Sequence, residues 1–179
     1  MEILDIVDER GVPTGETVER ETAHARGIRH RTSHVWILRR RNQAVEVLLQ
    51  KRSLQKDSHP GCYDISSAGH IPAGMGFVES AIRELKEELG ICAESSDLVY
   101  CGQRMIQSDS VFHGKPFHDC QVSNVYCLWL DVNPEELTLQ EEEVSGVLWI
   151  RLSECIRLVR ENGFPNCIVP EELLMLPQA

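Results

Sequence analysis

Gly69, then Arg83-Glu84-Leu85-Lys86-Glu87-Glu88-Leu89-Gly90-Ile91, is the stretch that decides the reading of this chain. Glu84 to Glu88 is an i,i+4 step and Glu84 to Glu87 an i,i+3 step, so three carboxylates crowd one patch of a helix. Left alone, that crowding is destabilising. A hard divalent cation reverses the sign, because carboxylates at this spacing bind magnesium while the ion keeps waters and takes substrate phosphate oxygens. The other side of the same helix reads Val78, Ala81, Ile82, Leu85, Leu89, an apolar stripe that anchors the acidic face to a core. Gly90 supplies the stop. A solvated acidic helix is the commoner meaning of a charge run, but the pattern here extends beyond charge.

In register, Gly69, Arg83, Glu84, Leu85, Glu87, Glu88, Gly90 and Ile91 resemble the signature of the Nudix hydrolases. That signature is a glycine, five residues, Glu, seven residues, then Arg-Glu-aliphatic-x-Glu-Glu-x-Gly-aliphatic. One position departs: the first Glu of the signature falls on Met75. In the family that Glu supports the loop and the outer shell of the metal. The resemblance implies an α/β/α sandwich with a mixed β-sheet, Mg2+ as the cofactor with Mn2+ as its substitute, and hydrolysis of a diphosphate. It assigns Glu87 and Glu88 to the metal directly, Glu84 as a metal ligand or proton acceptor, and a backbone carbonyl near Ala68-Gly69 as a further metal oxygen. Arg83 is expected to pair with Glu87 and set the helix geometry.

Bulk properties agree with a single domain with a substantial core over residues 1–179, which the resemblance implies is a Nudix hydrolase domain. Eighteen Lys+Arg against 28 Asp+Glu give a formal net charge of −10, which argues against nucleic acid or an anionic membrane as partner. Met1 to Glu9 is acidic without a long apolar run, so no signal peptide or membrane span is expected. Seven cysteines, none in C-x-x-C, read as reduced cytoplasmic thiols, several of them in the core, and no zinc site is expected. A homodimer is allowed; the sequence leaves the oligomeric state open.

Along the chain, Ile3–Val7 reads as a first strand followed by a turn through Asp8-Glu9-Arg10-Gly11. Thr17–Arg31 is polar and reads as a loop docked on the surface. Ser33–Arg39 and Val45–Lys51 read as paired strands, Leu98–Gln107, Cys120–Asp131 and Val144–Arg151 as three more. The acidic helix starts near Phe77. Ser153–Asn162 is predicted helical with Ser153 as cap and Gly163 as stop, and Pro170–Leu176 as a short final helix.

Other residues carry chemistry. Glu143 ends an acidic loop and stands six residues before Trp149, where family members often supply a further carboxylate; it is the candidate extra metal ligand or water-activating base. Arg52 and Lys56 follow a strand, and a diphosphate needs fixed cationic donors. Leu49-x-x-Arg52-Ser53-x-x-Lys56, then His59-Pro60-Gly61, is similar to a segment of type 1 isopentenyl diphosphate isomerase, whose matching Arg and Lys contact the diphosphate; Asp8-Glu9-x-Gly11-x-x-x-Gly15 is similar too. That resemblance raises an isomerase as the alternative. Yet the isomerase's Cys falls on Ser67 and its Glu near Gln121, and this pair cannot replace a thiol and a carboxylate in proton transfer. Its metal histidines correspond to His30 and His70, with His24 one residue out of register and Asp119 on a neighbouring ligand position. A third reading is a diphosphate-binding sensor with weak or no catalysis. The expected substrate is a small-molecule diphosphate, either a nucleoside diphosphate derivative or another organic diphosphate.

Overall fold

The computed structural model describes residues 1–179. Nine strands and four α-helices follow one another: β1 (Ile3–Val7), β2 (Pro13–Glu19), α1 (Arg20–Arg26), β3 (His30–Arg41), β4 (Ala44–Arg52), β5 (Tyr63–Asp64), β6 (Ser67–His70), α2 (Phe77–Leu89), β7 (Leu98–Phe112), β8 (Lys115–Trp129), β9 (Val144–Arg151), α3 (Leu152–Arg160) and α4 (Pro170–Leu173). Strands β1 and β2 make a separate antiparallel ribbon; the others form one mixed sheet with the path β5-β4-β3-β8-β7.

Strand β3 organises the sheet. All nine residues from His30 to Leu38 are buried, as a strand covered on both faces must be. It runs parallel to β8, and its antiparallel partner changes along its length. Near its start Thr32–Val35 pair with β6; near its end Ile37–Arg41 pair with β4. Alternate residues face opposite layers. Val35 and Ile37 pack with Leu48, Ala81, Leu85 and Leu89 under α2, whereas Trp36 and Leu38 pack with Val47, Leu49, Leu152, Cys155 and Leu173 under α3 and α4. Helices thus cover both faces, which is the predicted α/β/α sandwich with a mixed sheet.

Local signals account for the boundaries. Asn42 and Gln43 (φ 49° and 61°) join β3 to β4, and His113 and Gly114 (φ 51° and 74°) join β7 to β8. Two successive left-handed residues make the tight hairpin turn whose twist matches the strands. Helix α2 ends on Gly90 in the left-handed conformation, as expected.

Three expectations are corrected. The segment Thr17–Arg31, read as a docked loop, contains the end of β2, all of α1 and the start of β3. Helix α1 was hidden because its inward residues are Ala23 and His24, and an inward histidine breaks the apolar stripe. The two strands read as Leu98–Gln107 and Cys120–Asp131 are one hairpin with 15 residues in each arm. Its outer arm lies at the sheet edge and alternates weakly, so the backbone ladder, which composition does not reveal, carries it on. Helix α3 starts at Leu152 with Arg151 at the N-cap, not Ser153.

Candidate active site

Helix α2 presents its carboxylates to two environments. Glu87 is exposed, whereas Glu84 and Glu88 turn back toward β6. At β6, Gly69 has no side chain for a steric reason. A Cβ there would lie 2.6 Å from Cγ and Oε1 of Glu84, so any larger residue would expel that carboxyl. The signature glycine is therefore the space that Glu84 occupies.

Glu88 is 5% exposed and accepts from Gln50 Nε2 (3.1 Å) and Ser67 Oγ (2.8 Å), both on Oε2. Neither donor is charged. Burial first, and the nearby Glu84 charge second, push its pKa up to about 8. Glu84 is also raised, mainly by burial, although Arg83 opposes it. Arg83 pairs with Glu84, its neighbour, and not with Glu87 as expected; its Nε is buried without a partner.

The acidic loop before β9 docks on the end of α2. Gln140 N donates to Glu88 O (3.0 Å) and Thr138 N to Leu89 O (3.1 Å), which satisfies carbonyls the helix leaves free. The loop then brings Glu143 to Lys56, with which it forms an ion pair, and Ser53 N donates to Glu143 O (2.9 Å). Lys56 also lies close enough to Glu88 to lower its pKa slightly. Arg52 is heavily committed: Nη1 donates to Asp64 Oδ2 (3.0 Å), and Nε and Nη2 donate to Ser58 O (3.1 and 2.8 Å).

A cavity of about 250 Å³ opens beside this patch, with Arg52, Lys56 and Gly69 on its border. Ala68 and His70 alternate with Ser67 and Gly69 along β6 and also line it. Ser67 is thus turned to Glu88, and the cavity wall at this point is Ala68; Gln121, two strands away on β8, also lines the cavity. Neither position offers a thiol or a carboxylate.

At one end of the cavity His24, His30 and His70 bring their nitrogens within 4.8 Å of one another. His24 Nε2 is 3.0 Å from His70 Nε2. His30 Nδ1 donates to Ile28 O (2.8 Å), which leaves its buried Nε2 unpartnered and pointing its lone pair inward. Burial lowers the pKa of His30 to about 4 and that of His70 well below its ordinary value, so both rings are neutral near pH 7. Asp119 Oδ1 lies 3.3 Å from His24 Nδ1 but off the hydrogen-bond direction. Neutral imidazoles with an inward lone pair suit a transition metal better than magnesium. The expectation of no zinc site rested on cysteine spacing; the histidine group comes from three separate elements.

The loop between β6 and α2 is held from the N-terminal ribbon. Asp5 Oδ2 accepts from Arg31 Nη2 (2.8 Å) and Gly74 N (2.9 Å), Arg31 Nη2 also donates to Met75 O (3.0 Å), and Ala73 N donates to Ile3 O (2.8 Å). The sequence reading missed Asp5 and Arg31, and also a buried group on the cavity's far wall. There Glu172 of α4 accepts from His34 Nδ1 (2.8 Å) and Trp36 Nε1 (2.9 Å) and pairs with Arg104. No local signal marks these residues, since partners lie 26 to 138 positions apart.

Comparison with known proteins gives the family and the fold. The NUDIX domain family model matches residues 28–168. An uncharacterized Nudix hydrolase of Clostridium acetobutylicum is 36% identical over 158 residues, 88% of this chain and 74% of that protein. Nudix hydrolase 3 of Arabidopsis thaliana is 39% identical over 157 residues, 86% of this chain but 20% of that longer protein. A crystal structure from Deinococcus radiodurans superposes with a TM-score of 0.68 over 97% of both chains at 20% identity, a likeness of fold. No helix is long and apolar enough to cross a membrane. With the matched segment carrying the carboxylate helix, its glycine and the docked acidic loop, the chain belongs to the Nudix family and is a hydrolase of pyrophosphate bonds.

Proposed function

We propose that residues 1–179 work as one Nudix domain that hydrolyses an organic diphosphate, such as a nucleoside diphosphate derivative, with Mg2+ as cofactor. One observation carries this reading: Glu88 is buried beside Glu84 with only neutral donors on it. A buried carboxylate is costly without charge compensation. A hard cation supplies that compensation, and this oxygen-rich donor set fits magnesium or manganese.

In this reading Glu84, Glu87 and Glu88 would hold the metal, with the Gly69 carbonyl as a further oxygen. The bound ion would neutralise charge on the diphosphate and acidify water. Glu143 accepts the proton of the attacking water when substrate phosphate draws Lys56 away from it. Arg83 keeps Glu84 oriented. Arg52 and Lys56 meet the phosphates at the border between carboxylates and cavity, and Asp64 and Ser58 fix the Arg52 fork in advance.

Within the family we place the chain in a branch resembling type 1 isopentenyl diphosphate isomerase, supported by the Arg52–Lys56 segment and the His24/His30/His70 group, which suits a second metal site. Ala68, Ser67 and Gln121 favour hydrolase over isomerase chemistry. The decisive experiment is Glu88→Gln, assayed by phosphate release from a panel of diphosphates with Mg2+ or Mn2+. Activity should fall by orders of magnitude while the fold persists; normal turnover by the folded variant removes the assignment. Substrate binding with no turnover by the natural protein would instead favour the sensor reading.

A further inference from the structure

Four cations border the cavity, Arg20, Arg52, Lys56 and Arg104, and they differ in what they have left to offer. Arg52 donates from all three of its nitrogens to Asp64 and Ser58. Lys56 is paired with Glu143, and Arg20 Nη1 donates outward to Glu2 (3.3 Å). Arg104 gives Glu172 one nitrogen, Nη1; its Nε and Nη2 make no hydrogen bond within the protein and are not sealed from the cavity.

The position of Arg104 is unusually well fixed. Glu172 is 2% exposed, and its Oε1 is already satisfied by His34 and Trp36, so Oε2 is free to hold the guanidinium. Burial would raise the pKa of Glu172, but His34 beside it, with Trp36 and Arg104, wins and holds it at about 2. The same contact keeps His34 raised against its own burial. One carboxylate therefore holds both His34 and the Arg104 guanidinium, and two of the three guanidinium nitrogens stay free of protein partners.

This group is remote from the carboxylate helix. His70, Thr32, Ser123 and Arg104 are register partners on β6, β3, β8 and β7. Three strand spacings of about 4.8 Å put the Arg104 backbone roughly 14 Å from that of His70. The floor between them carries the polar side chains Thr32, Gln121 and His34, with Ile106 beside Gln121.

We propose that Arg104, set in place by Glu172, is a binding site for a second anionic group, a phosphate or carboxylate, at the end of the substrate remote from the scissile diphosphate. This deepens the reading above and rests on it for the diphosphate alone. The substrate class becomes a diphosphate with a second anionic group at its far end.

The site can be tested without metal. The Trp36 indole N–H donates to Glu172, so its NMR resonance, assigned with Trp36→Phe, reports on the group. Inorganic phosphate titrated into the EDTA-treated protein should shift that resonance saturably. Arg104→Gln should abolish the shift. Arg104→Lys, which keeps the charge on Glu172 but loses the planar fork, should weaken binding about 10-fold, the lower end of what a hydrogen bond to a charged group is worth. A flat titration of the natural protein, or an Arg104→Lys protein that binds phosphate unchanged, overturns the proposal; if Arg104→Gln does not fold, the lysine variant decides.

Kinetics with Mg2+ give the second arm. Arg104→Lys should raise KM for 5-phosphoribosyl 1-diphosphate about 10-fold and raise KM for a nucleoside diphosphate, which has no second anion, by much less. Equal shifts on both would mean a structural role and also overturn the proposal. Absence of turnover on any diphosphate would sink the hydrolase reading alone, because the phosphate titration stands apart from it.

Discussion

Glu88 is the residue on which stability and function meet. Its folded pKa of about 8 exceeds the ordinary 4.5 of an unfolded glutamate, so between these values the folded state holds a proton the unfolded state has lost. Metal-free protein is therefore most stable below about pH 4.5 as far as this group is concerned, and loses that contribution as pH rises toward 8. A cation on Glu84 and Glu88 reverses the preference by favouring the ionised form. Thermal denaturation in EDTA should show Tm falling from pH 5 to pH 8, with Glu88→Gln flattening the slope. Added Mg2+ should raise Tm more at pH 8 than at pH 5. A Mg2+ effect independent of pH would mean that the ion binds elsewhere.

At the scale of the element, the loop Ile71–Gly76 decides where α2 begins, and so where its carboxylates stand. The signature carboxylate is missing at Met75, and Arg83 Nε is buried without a partner. The loop is held instead by the Asp5–Arg31 pair, 12% and 7% exposed at the side chains. Breaking a buried pair by removing one charge costs about 3–5 kcal/mol. Asp5→Asn should therefore lower stability by that order in urea unfolding and weaken Mn2+ binding in a calorimetric titration; unchanged metal affinity would leave the pair a purely structural role. Met75→Glu should tighten metal binding or raise kcat modestly, within the roughly 10–100-fold that outer partners of a metal site contribute. If Met75→Glu changes neither, the position is irrelevant to the site. If the natural protein is inert and Met75→Glu creates turnover, the natural protein is a binding module.

For the whole molecule, the sheet separates two chemistries and joins them at one strand. Residues of β6 that face α2 touch the carboxylates; their alternate neighbours face the cavity with its histidines. The cavity is closed on its far side by the C-terminal segment through Glu172, so the last ten residues complete the site as well as the core, where Leu173 is fully buried. The composition of the walls separates hydrolysis from isomerisation. With isopentenyl diphosphate, divalent metal and deuterated water, no dimethylallyl isomer and no deuterium incorporation should appear by NMR. Measurable exchange into the alkene would overturn the choice of hydrolase over isomerase chemistry.

The sequence by itself determined the elements whose signals are local. Spacing of Ala81, Leu85 and Leu89 set the buried face of α2, Gly90 its end, and the apolar run Val35–Leu38 the central strand. It also carried the family, because the signature lies within one continuous stretch of chain, from Gly69 at the end of β6 through the loop to α2. Only the tertiary structure decided which carboxylates turn inward, since that follows from the empty place at Gly69 on another strand. Only it brought His24, His30 and His70 together, replaced the Met75 position with Asp5 and Arg31, and set Arg104 against Glu172. Periodicity reports how a residue stands to its own helix or strand. Partners across a sheet depend on register and strand order, which arise only when separate elements share one core.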